Sequence, residues 1–337
     1  MKKTKIAING FGRIGRSAFK IAMTKPELEV VAINDLTDNK ILAYLLQNDS
    51  NYGRYHKEIS YDDRSITVGG QRIKTFSERD PIELPWKKLG IDVVIESTGR
   101  FVTYDKASRH LNAGAKKVVI SAPAKDDDHK VKTIVMGVND LELKPEDKII
   151  SNASCTTNCL SPVVRVIEDH FGIDKAMMTT VHSYTASQVL QDGPSKNERD
   201  SRAAAENIIP TTTGATKATG KVIPSIEGRF TGLSIRVPTP VVSLCDTVFL
   251  LKSKATVEQV NQVLEKASRT RRFQRVLATT REQLVSSDFI GDSHSAIVDF
   301  NLTQVVGENM LKLVAWYDNE WGYSNRLVEV VQKLGNV

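Results

Sequence analysis

Short apolar runs closed by glycine or small polar residues alternate with helix-period stretches along the first part of the chain. Lys5 to Asn9, Glu29 to Ile33, Asp92 to Glu96, Lys117 to Ile120, Thr133 to Met136 and Lys148 to Ile150 are short and continuously apolar at their centres. That pattern predicts buried strands rather than surface helices. Phe19, Ile21, Ala22 and Met23 fall in a helical pattern after the first run, and Ala107 to Ala113 predicts a helix stopped by Gly114. Ser65 to Val68 and Arg72 to Phe76 flank Gly69-Gly70, a hairpin signal, whereas Asn48 to Tyr55 reads as a polar, aromatic loop. Strands alternating with helices predict an α/β fold with a doubly wound sheet.

The pattern changes after Ile150. A helix-like run begins near Leu160-Ser161-Pro162, and Met177 to Val181, Ser234 to Pro238, Ser295 to Phe300 and Leu311 to Tyr317 read as strands. Val241 to Leu251 reads as a strand broken by Cys245, and Ser183 to Asn207 as a long polar loop. One amphipathic helix is expected over Val257 to Ser268, begun at Thr256 with Glu258 in its first turn, and a final helix over Arg326 to Leu334. The second domain is expected to be α+β with a mixed or antiparallel sheet.

The 337 residues suffice for two cored domains. A 40% hydrophobic and 26% charged composition excludes a disordered or fibrous chain. Three cysteines are too few for a disulfide scaffold, and no apolar segment has the length of a membrane span. A cytoplasmic protein without membrane partner is expected. The net charge of +6 admits a nucleic-acid partner, but the cations are dispersed among acids and their clusters are short. A surface with anion-collecting pockets is the preferred reading.

Three stretches carry chemistry. Gly10-Phe11-Gly12-Arg13-Ile14-Gly15 follows the first strand and opens the first helix, which is the G-x-G-x-x-G arrangement of a Rossmann-type dinucleotide site. The helix N-terminus offers N–H groups and a favourable dipole to a pyrophosphate. Asp35, twenty residues after Gly15 at the end of the second strand, fits a ribose-binding acid and favours NAD over NADP; a plain turn residue is its other reading. Thr98, Gly99 and Ser121 follow later strands, where ligands bind, although plain turns explain them equally.

Ser151 to Cys159 places Cys155 among small hydroxyl residues between a strand and a helix, a setting that stabilises a thiolate nucleophile, although such a cysteine taken alone more often reads as a plain buried thiol. His182, delivered by the Met177 strand, is the candidate base, with a surface or capping residue as its other reading. Thr211 to Lys217 reads as an anion cradle, and Arg236 inside an apolar strand needs a phosphate or an internal carboxylate as partner. Cys159 lies one helical turn after Cys155, yet no second pair completes a tetrahedral metal set, so no metal is expected and Cys159 and Cys245 read as structural thiols.

With these stretches in order, the chain resembles the phosphorylating glyceraldehyde-3-phosphate dehydrogenase family. The resemblance rests on Ile8 to Gly15, Ala32 to Asp35, Ser151 to Cys159, Thr180-Val181-His182, Thr213-Gly214, Arg236 to Thr239 and Trp316 to Tyr323. It implies that Cys155 attacks the aldehyde of glyceraldehyde 3-phosphate while His182 takes the proton, that NAD is the oxidant, and that inorganic phosphate resolves the resulting thioester. It further implies that Thr185 and Arg236 hold the substrate phosphate and that Ser154, Thr156, Thr213 and Gly214 line the attacking-phosphate site. Gly10, Gly12, Arg13, Ile14, Gly15, Asp35, Arg79, Ser121 and Asn319 would serve NAD. A homotetramer is implied, with an NAD-binding domain over 1–153, a catalytic domain over 154–319 and a C-terminal helix over 320–337 returning to the first. One departure is Asp200, where many bacterial members place an arginine, which bears on phosphate affinity. An erythrose-4-phosphate dehydrogenase is the close rival, and nucleic-acid binding the rival of a different class.

Overall fold

A computed structural model describes residues 3–126 and 130–336. They fall into two compact units. One comprises the chain up to Ile134, Asp140–Ala153 and the residues from Ser324 onward; the other comprises Val135–Asn139 and Ser154–Tyr323.

The first unit is built on a nine-stranded sheet. Thr4–Asn9 lies at its centre, paired in parallel with Leu28–Asn34 on one side and Val93–Glu96 on the other. Ile6, Ala7 and Ile8 have no exposed surface, as both faces of a central parallel strand are covered. Lys117–Ile120, Ile149–Ser151 and Lys132–Thr133 extend the parallel sheet beyond Val93–Glu96. Gln71–Phe76 extends it in parallel on the opposite side, and Ser65–Val68 and Ile59–Asp62 add antiparallel strands. The chain therefore leaves the central strand in both directions, and the crevice at the carboxyl ends of such strands is where ligands bind.

The second unit carries an eight-stranded mixed sheet. Ile173–Ser183 runs parallel to Phe230–Val237 and antiparallel to Ser243–Leu251, which continues antiparallel into Met310–Tyr317. Along Ile173–Ser183, Ala176, Met178, Thr180 and His182 are buried while Met177 is exposed. This period of two aims His182 and Thr180 at the same side of the sheet. Cys155–Phe171, Ala215–Val222 and Val257–Ser268 are the helices of this unit. The last begins at Thr256 with a reciprocal capping box to Gln259, so the start expected from sequence holds.

Four sequence expectations are corrected. Cys245 does not break its strand: it pairs in register with Thr180 and Ala315, because a small buried thiol packs like an aliphatic residue. The final helix begins at Trp321, ahead of the Arg326 that the residue pattern predicts and close to the 320 that the resemblance implies, since the Asp318 carboxylate accepts the N–H groups of Glu320 and Trp321 and caps it. The strand expected over Thr133 to Met136 stops at Thr133, where the Asn139 side chain accepts the Val135 N–H at 2.9 Å and turns the chain away. The loop over Asn48 to Tyr55 contains a small ribbon, Asn48–Asp49 against Gly53–Arg54.

Candidate active site

In the first unit, a cavity of about 280 Å³ opens at the carboxyl ends of the central strands and is lined by Gly10, Gly12, Asp35, Arg79 and Thr98 among others. Gly10 takes φ +91, and a Cβ there would meet the Thr98 nitrogen at 2.7 Å, so only glycine lets the loop cross this strand end. A Cβ on Gly15 would stand 2.1 Å from the Gly10 carbonyl, which fixes the close approach of helix and strand. At Gly12 a Cβ would meet nothing within 4 Å. That open side coincides with the N-terminus of Arg13–Ala22, which no side chain caps. The first-turn N–H groups and the missing side chain together fit a pyrophosphate.

Asp35 stands beside this opening, its Oδ2 accepting the Phe11 N–H at 2.7 Å and its Oδ1 the Thr37 N–H at 3.0 Å. The carboxylate is thereby held in place with further lone pairs to accept ribose hydroxyls. Arg13 turns its guanidinium to Asp49 at 3.2 Å and over the Tyr52 ring. Arg13, Ile14, Gly15, Gly99 and Ser121 are not among the residues lining the cavity.

Beneath the loop lies a buried polar network that the sequence reading missed. Glu96 accepts from Asn9 Nδ2 at 2.6 Å, from the Thr98 N–H at 2.8 Å and from the Thr98 hydroxyl. Its Oε2 also lies 3.0 Å from His110 Nε2. The Trp86 indole, which can only donate, reaches His110 Nδ1 at 3.0 Å and so fixes the proton on Nε2. Asn34 Nδ2 donates to Asn9 Oδ1 and to the Glu78 carbonyl, while Asn34 Oδ1 accepts the Glu78 N–H. Polar residues closing otherwise apolar strands (Asn9, Asn34, Glu96) were the available signal.

In the second unit, Ser154 is the N-cap of Cys155–Phe171 and its hydroxyl accepts the Thr157 N–H at 3.1 Å. Cys155 is therefore the first helical residue, its sulfur 3.5 Å from His182 Nε2. His182 and Arg236 are register partners on neighbouring parallel strands, which brings Arg236 Nη1 to 2.5 Å from His182 Nδ1. The Ser183 carbonyl lies 2.7 Å from the same ring nitrogen and 3.1 Å from Nη1. Tyr317, also missed from sequence, ties the floor together: its hydroxyl lies 3.0 Å from the Thr156 hydroxyl and 2.9 Å from that of Thr180. The Ser183 hydroxyl donates to Asn319 Oδ1 at 2.9 Å, which leaves the Asn319 amide nitrogen as the donor.

Burial pushes the Cys155 thiol up to about 11, against the opposing pull of the Arg236 charge and the Thr156 hydroxyl. Desolvation thus acts against the thiolate that the helix N-terminus favours. Burial first and the Arg236 charge second push His182 down to about 3. Both shifts favour the uncharged forms of the pair, so burial works against a thiolate–imidazolium pair while the Arg236 charge and the Thr156 hydroxyl favour the thiolate.

The two halves of the chain match the two domains of one family. The NAD binding domain of glyceraldehyde 3-phosphate dehydrogenase matches residues 4–104, and the C-terminal domain matches residues 154–319. Glyceraldehyde-3-phosphate dehydrogenase of Borreliella burgdorferi is 52% identical over 98% of this chain and 99% of its own. The Geobacillus stearothermophilus enzyme of that name is 51% identical over 97% of this chain and 96% of its own. Glyceraldehyde-3-phosphate dehydrogenase 3 of Saccharomyces cerevisiae is 48% identical over 97% and 98%. The chain belongs to the glyceraldehyde-3-phosphate dehydrogenase family. It is an NAD-dependent oxidoreductase with an α/β fold, as the resemblance implied.

Set against the residues that the family resemblance singles out, the structure brings Cys155, His182 and Arg236 into one cluster, with Thr156 on its floor through Tyr317. Thr185 and Thr213 stand apart in their hydrogen bonding among the described residues. Thr185 bonds to Ser187 and Gln188 in its own loop, and Thr213 accepts the Ala215 N–H where Gly214 begins the helix Ala215–Val222. Asp200 is engaged within its own turn by Asn197 at 2.7 Å.

Proposed function

We propose that this dehydrogenase oxidises D-glyceraldehyde 3-phosphate to 1,3-bisphosphoglycerate with NAD and inorganic phosphate, as a cytoplasmic homotetramer. The observation that carries the reading is the 3.5 Å approach of the Cys155 sulfur to His182 Nε2, with Arg236 on the far side of the same imidazole. NAD, when bound, supplies the hydride acceptor. Asp35 orients the ribose and repels a 2′-phosphate, and the open face at Gly12 admits the pyrophosphate.

Cys155 forms a bond to the aldehyde carbon, its thiol proton passing to His182 and on from there to the carbonyl oxygen, which becomes the hemithioacetal hydroxyl. As hydride leaves that carbon, His182 removes the hydroxyl proton and a thioester remains on Cys155. An oxygen of inorganic phosphate then attacks the acyl carbon, the C–S bond breaks, and Cys155 leaves as thiolate to be reprotonated. Arg236 and Thr185 hold the substrate phosphate, while Ser154, Thr156, Thr213 and Gly214 receive the attacking phosphate. Tyr317 fixes the Thr156 hydroxyl for that task.

Self-association is supported by an apolar face of the second sheet. Met177 is 69% exposed and Met310 48%, beside a depression of about 570 Å³ that also involves Phe230, Val248 and Leu250. Exposed apolar areas of this kind mark interfaces.

Initial rates of NADH formation from glyceraldehyde 3-phosphate, with and without inorganic phosphate, test the reading. Sustained turnover is expected only with phosphate, and Cys155→Ser should lose roughly 10³-fold or more. Equal turnover without phosphate would mean that water resolves the thioester. No turnover at all would redirect the assay to erythrose 4-phosphate.

A further inference from the structure

Three strand ends of the second sheet meet next to His182. Ile173–Ser183 closes on Ser183, and Ser243–Leu251 opens on Ser243. Met310–Tyr317, whose Tyr317 pairs in register with Ser243, leads two residues on to Asn319. Asn319 lies in the turn before the last helix, which the Asp318 carboxylate pins by accepting the N–H groups of Gly291, Glu320 and Trp321. Ser183 is wholly buried, Ser243 is 3% exposed and Asn319 5%. In such a place a hydroxyl proton or amide hydrogen left without an acceptor is costly.

The Ser243 hydroxyl oxygen accepts the Ser183 N–H at 3.1 Å, and its own proton still needs an acceptor. It lies 3.5 Å from Asn319 Oδ1, and the Ser183 hydroxyl lies 2.9 Å from that same oxygen. A side-chain carbonyl oxygen has two lone pairs and takes both protons. With the amide turned the other way, the two hydroxyls would face an NH2 group that accepts nothing. Only each other would remain in reach, at 3.5 Å, and one of their protons would have no acceptor. The serine pair therefore fixes an orientation that the shape of an amide leaves open. The Asn319 NH2 group faces away from the serines, and no hydrogen bond engages it among the described residues.

We propose that Ser183 and Ser243 are positioning residues for the hydride acceptor: by holding Oδ1 they fix Asn319 as a donor to the carboxamide oxygen of the nicotinamide ring. The proposal rests on the assignment of Asn319 to NAD by family resemblance. A donor fixed on the carboxamide limits rotation of the ring about its bond to the ribose. An Asn319 free to turn would at times set its own carbonyl against the carboxamide oxygen and hold the ring loosely. Ser183 also ties this donor to the base, since its carbonyl lies 2.7 Å from His182 Nδ1. One residue thus supports the amide that holds the ring through its hydroxyl and the imidazole that handles the proton through its carbonyl. Both serines act through Asn319 rather than on the reacting atoms.

Calorimetric titration of the full chain with NAD, and with ADP-ribose, which lacks the nicotinamide ring, is the test. The proteins are wild type, Ser183→Ala, Asn319→Ala and the double variant. Asn319→Ala is expected to weaken NAD about tenfold and Ser183→Ala about fivefold, with ADP-ribose bound within about twofold of wild type throughout. The double variant should bind NAD no more weakly than Asn319→Ala alone, because a serine that acts through Asn319 has nothing left to orient. Losses that multiply in the double variant, or an ADP-ribose affinity that falls in parallel, would give the serine a merely structural role and overturn the proposal. Asn319→Asp checks the polarity. It keeps an acceptor for both hydroxyls but offers no donor, so NAD binding at least as weak as in Asn319→Ala is expected, and wild-type affinity is contrary. Should Ser183→Ala fold poorly, Ser243→Ala takes its place in the same cycle. An unchanged NAD affinity in Asn319→Ala would remove the cofactor role of Asn319 and the proposal with it. A loss there without one in Ser183→Ala would remove the proposal alone.

Discussion

Burial disfavours the charged forms of both Cys155 and His182, and that has consequences for stability as well as for chemistry. The unfolded chain protonates His182 near 6.5, whereas the folded chain refuses the proton down to about 3. Stability is therefore present above pH 6.5 and is lost as pH falls through that window, by about 5 kcal/mol in all. The folded Cys155 keeps its proton to about 11 while the unfolded thiol releases it near 9.0. Stability falls as pH rises between those values, by about 3 kcal/mol. Urea midpoints of the ligand-free protein should show both slopes, with His182→Gln flattening the acid side and Cys155→Ser the alkaline side. In turnover, His182→Asn should lower kcat about 10²- to 10⁴-fold with little change in NAD affinity, as loss of a general base requires; steady-state rates at saturating NAD check it. Cys155 and His182 were legible as candidates from their settings at a helix start and a strand end. Their protonation state was not, because it depends on how deeply the fold buries them, and sequence spacing is silent on that. Tyr317 escaped notice for a related reason: a phenol reads as core until its hydroxyl is seen bridging Thr156 and Thr180.

At the scale of elements, the first sheet was legible where short apolar runs end in glycine or polar residues. Thr4–Asn9 and Arg13–Ala22 follow from the run into Gly10 and the glycine spacing after it. Errors arose where one side chain overrides a pattern: Asn139 ends a strand at Thr133, and Asp318 starts a helix at Trp321. Cys245 misled in the opposite direction, since a buried thiol satisfies a strand as an aliphatic residue does. Pattern reading offers only the polar strand ends Asn9, Asn34 and Glu96 as a hint of the network under the Gly10 loop, because the fold, not sequence spacing, brings them to Trp86 and His110. It makes a clear prediction. Every partner of Glu96 is a donor, so Glu96→Gln would turn an amide N–H against one of them and leave that group unsatisfied. The expected cost is about 1–3 kcal/mol in urea unfolding, together with weaker NAD binding, because Thr98 and Gly10 lose their support. Calorimetric titration with NAD measures the second effect; an affinity equal to wild type would place the network outside the cofactor's reach.

At the scale of the whole molecule, the division into a dinucleotide-binding half and a mixed-sheet half was apparent in the change of pattern after Ile150. The reassignment of Val135–Asn139 to the second unit and of the residues from Ser324 onward to the first was only partly so. The C-terminal helix is tied into the first unit by Lys117 Nζ, which donates to the Leu334 carbonyl at 3.0 Å. No helix among the described residues is long and apolar enough to cross a membrane. The exposed Met177 and Met310 face is the feature of this scale with the most direct test. Sedimentation of the wild type should give a tetramer, and Met177→Asp should shift it to smaller species. An unchanged tetramer would mean that this face is not the contact. The central claim, however, is that Cys155 carries the substrate as a thioester, and one measurement addresses it directly. The protein is mixed with NAD and glyceraldehyde 3-phosphate in the absence of inorganic phosphate, quenched in acid, and its intact and peptide masses are recorded. A 3-phosphoglyceroyl adduct on the peptide containing Cys155, discharged when phosphate is added before the quench, is the predicted result. NADH formation without any adduct on Cys155, or an adduct that phosphate does not discharge, would contradict the account.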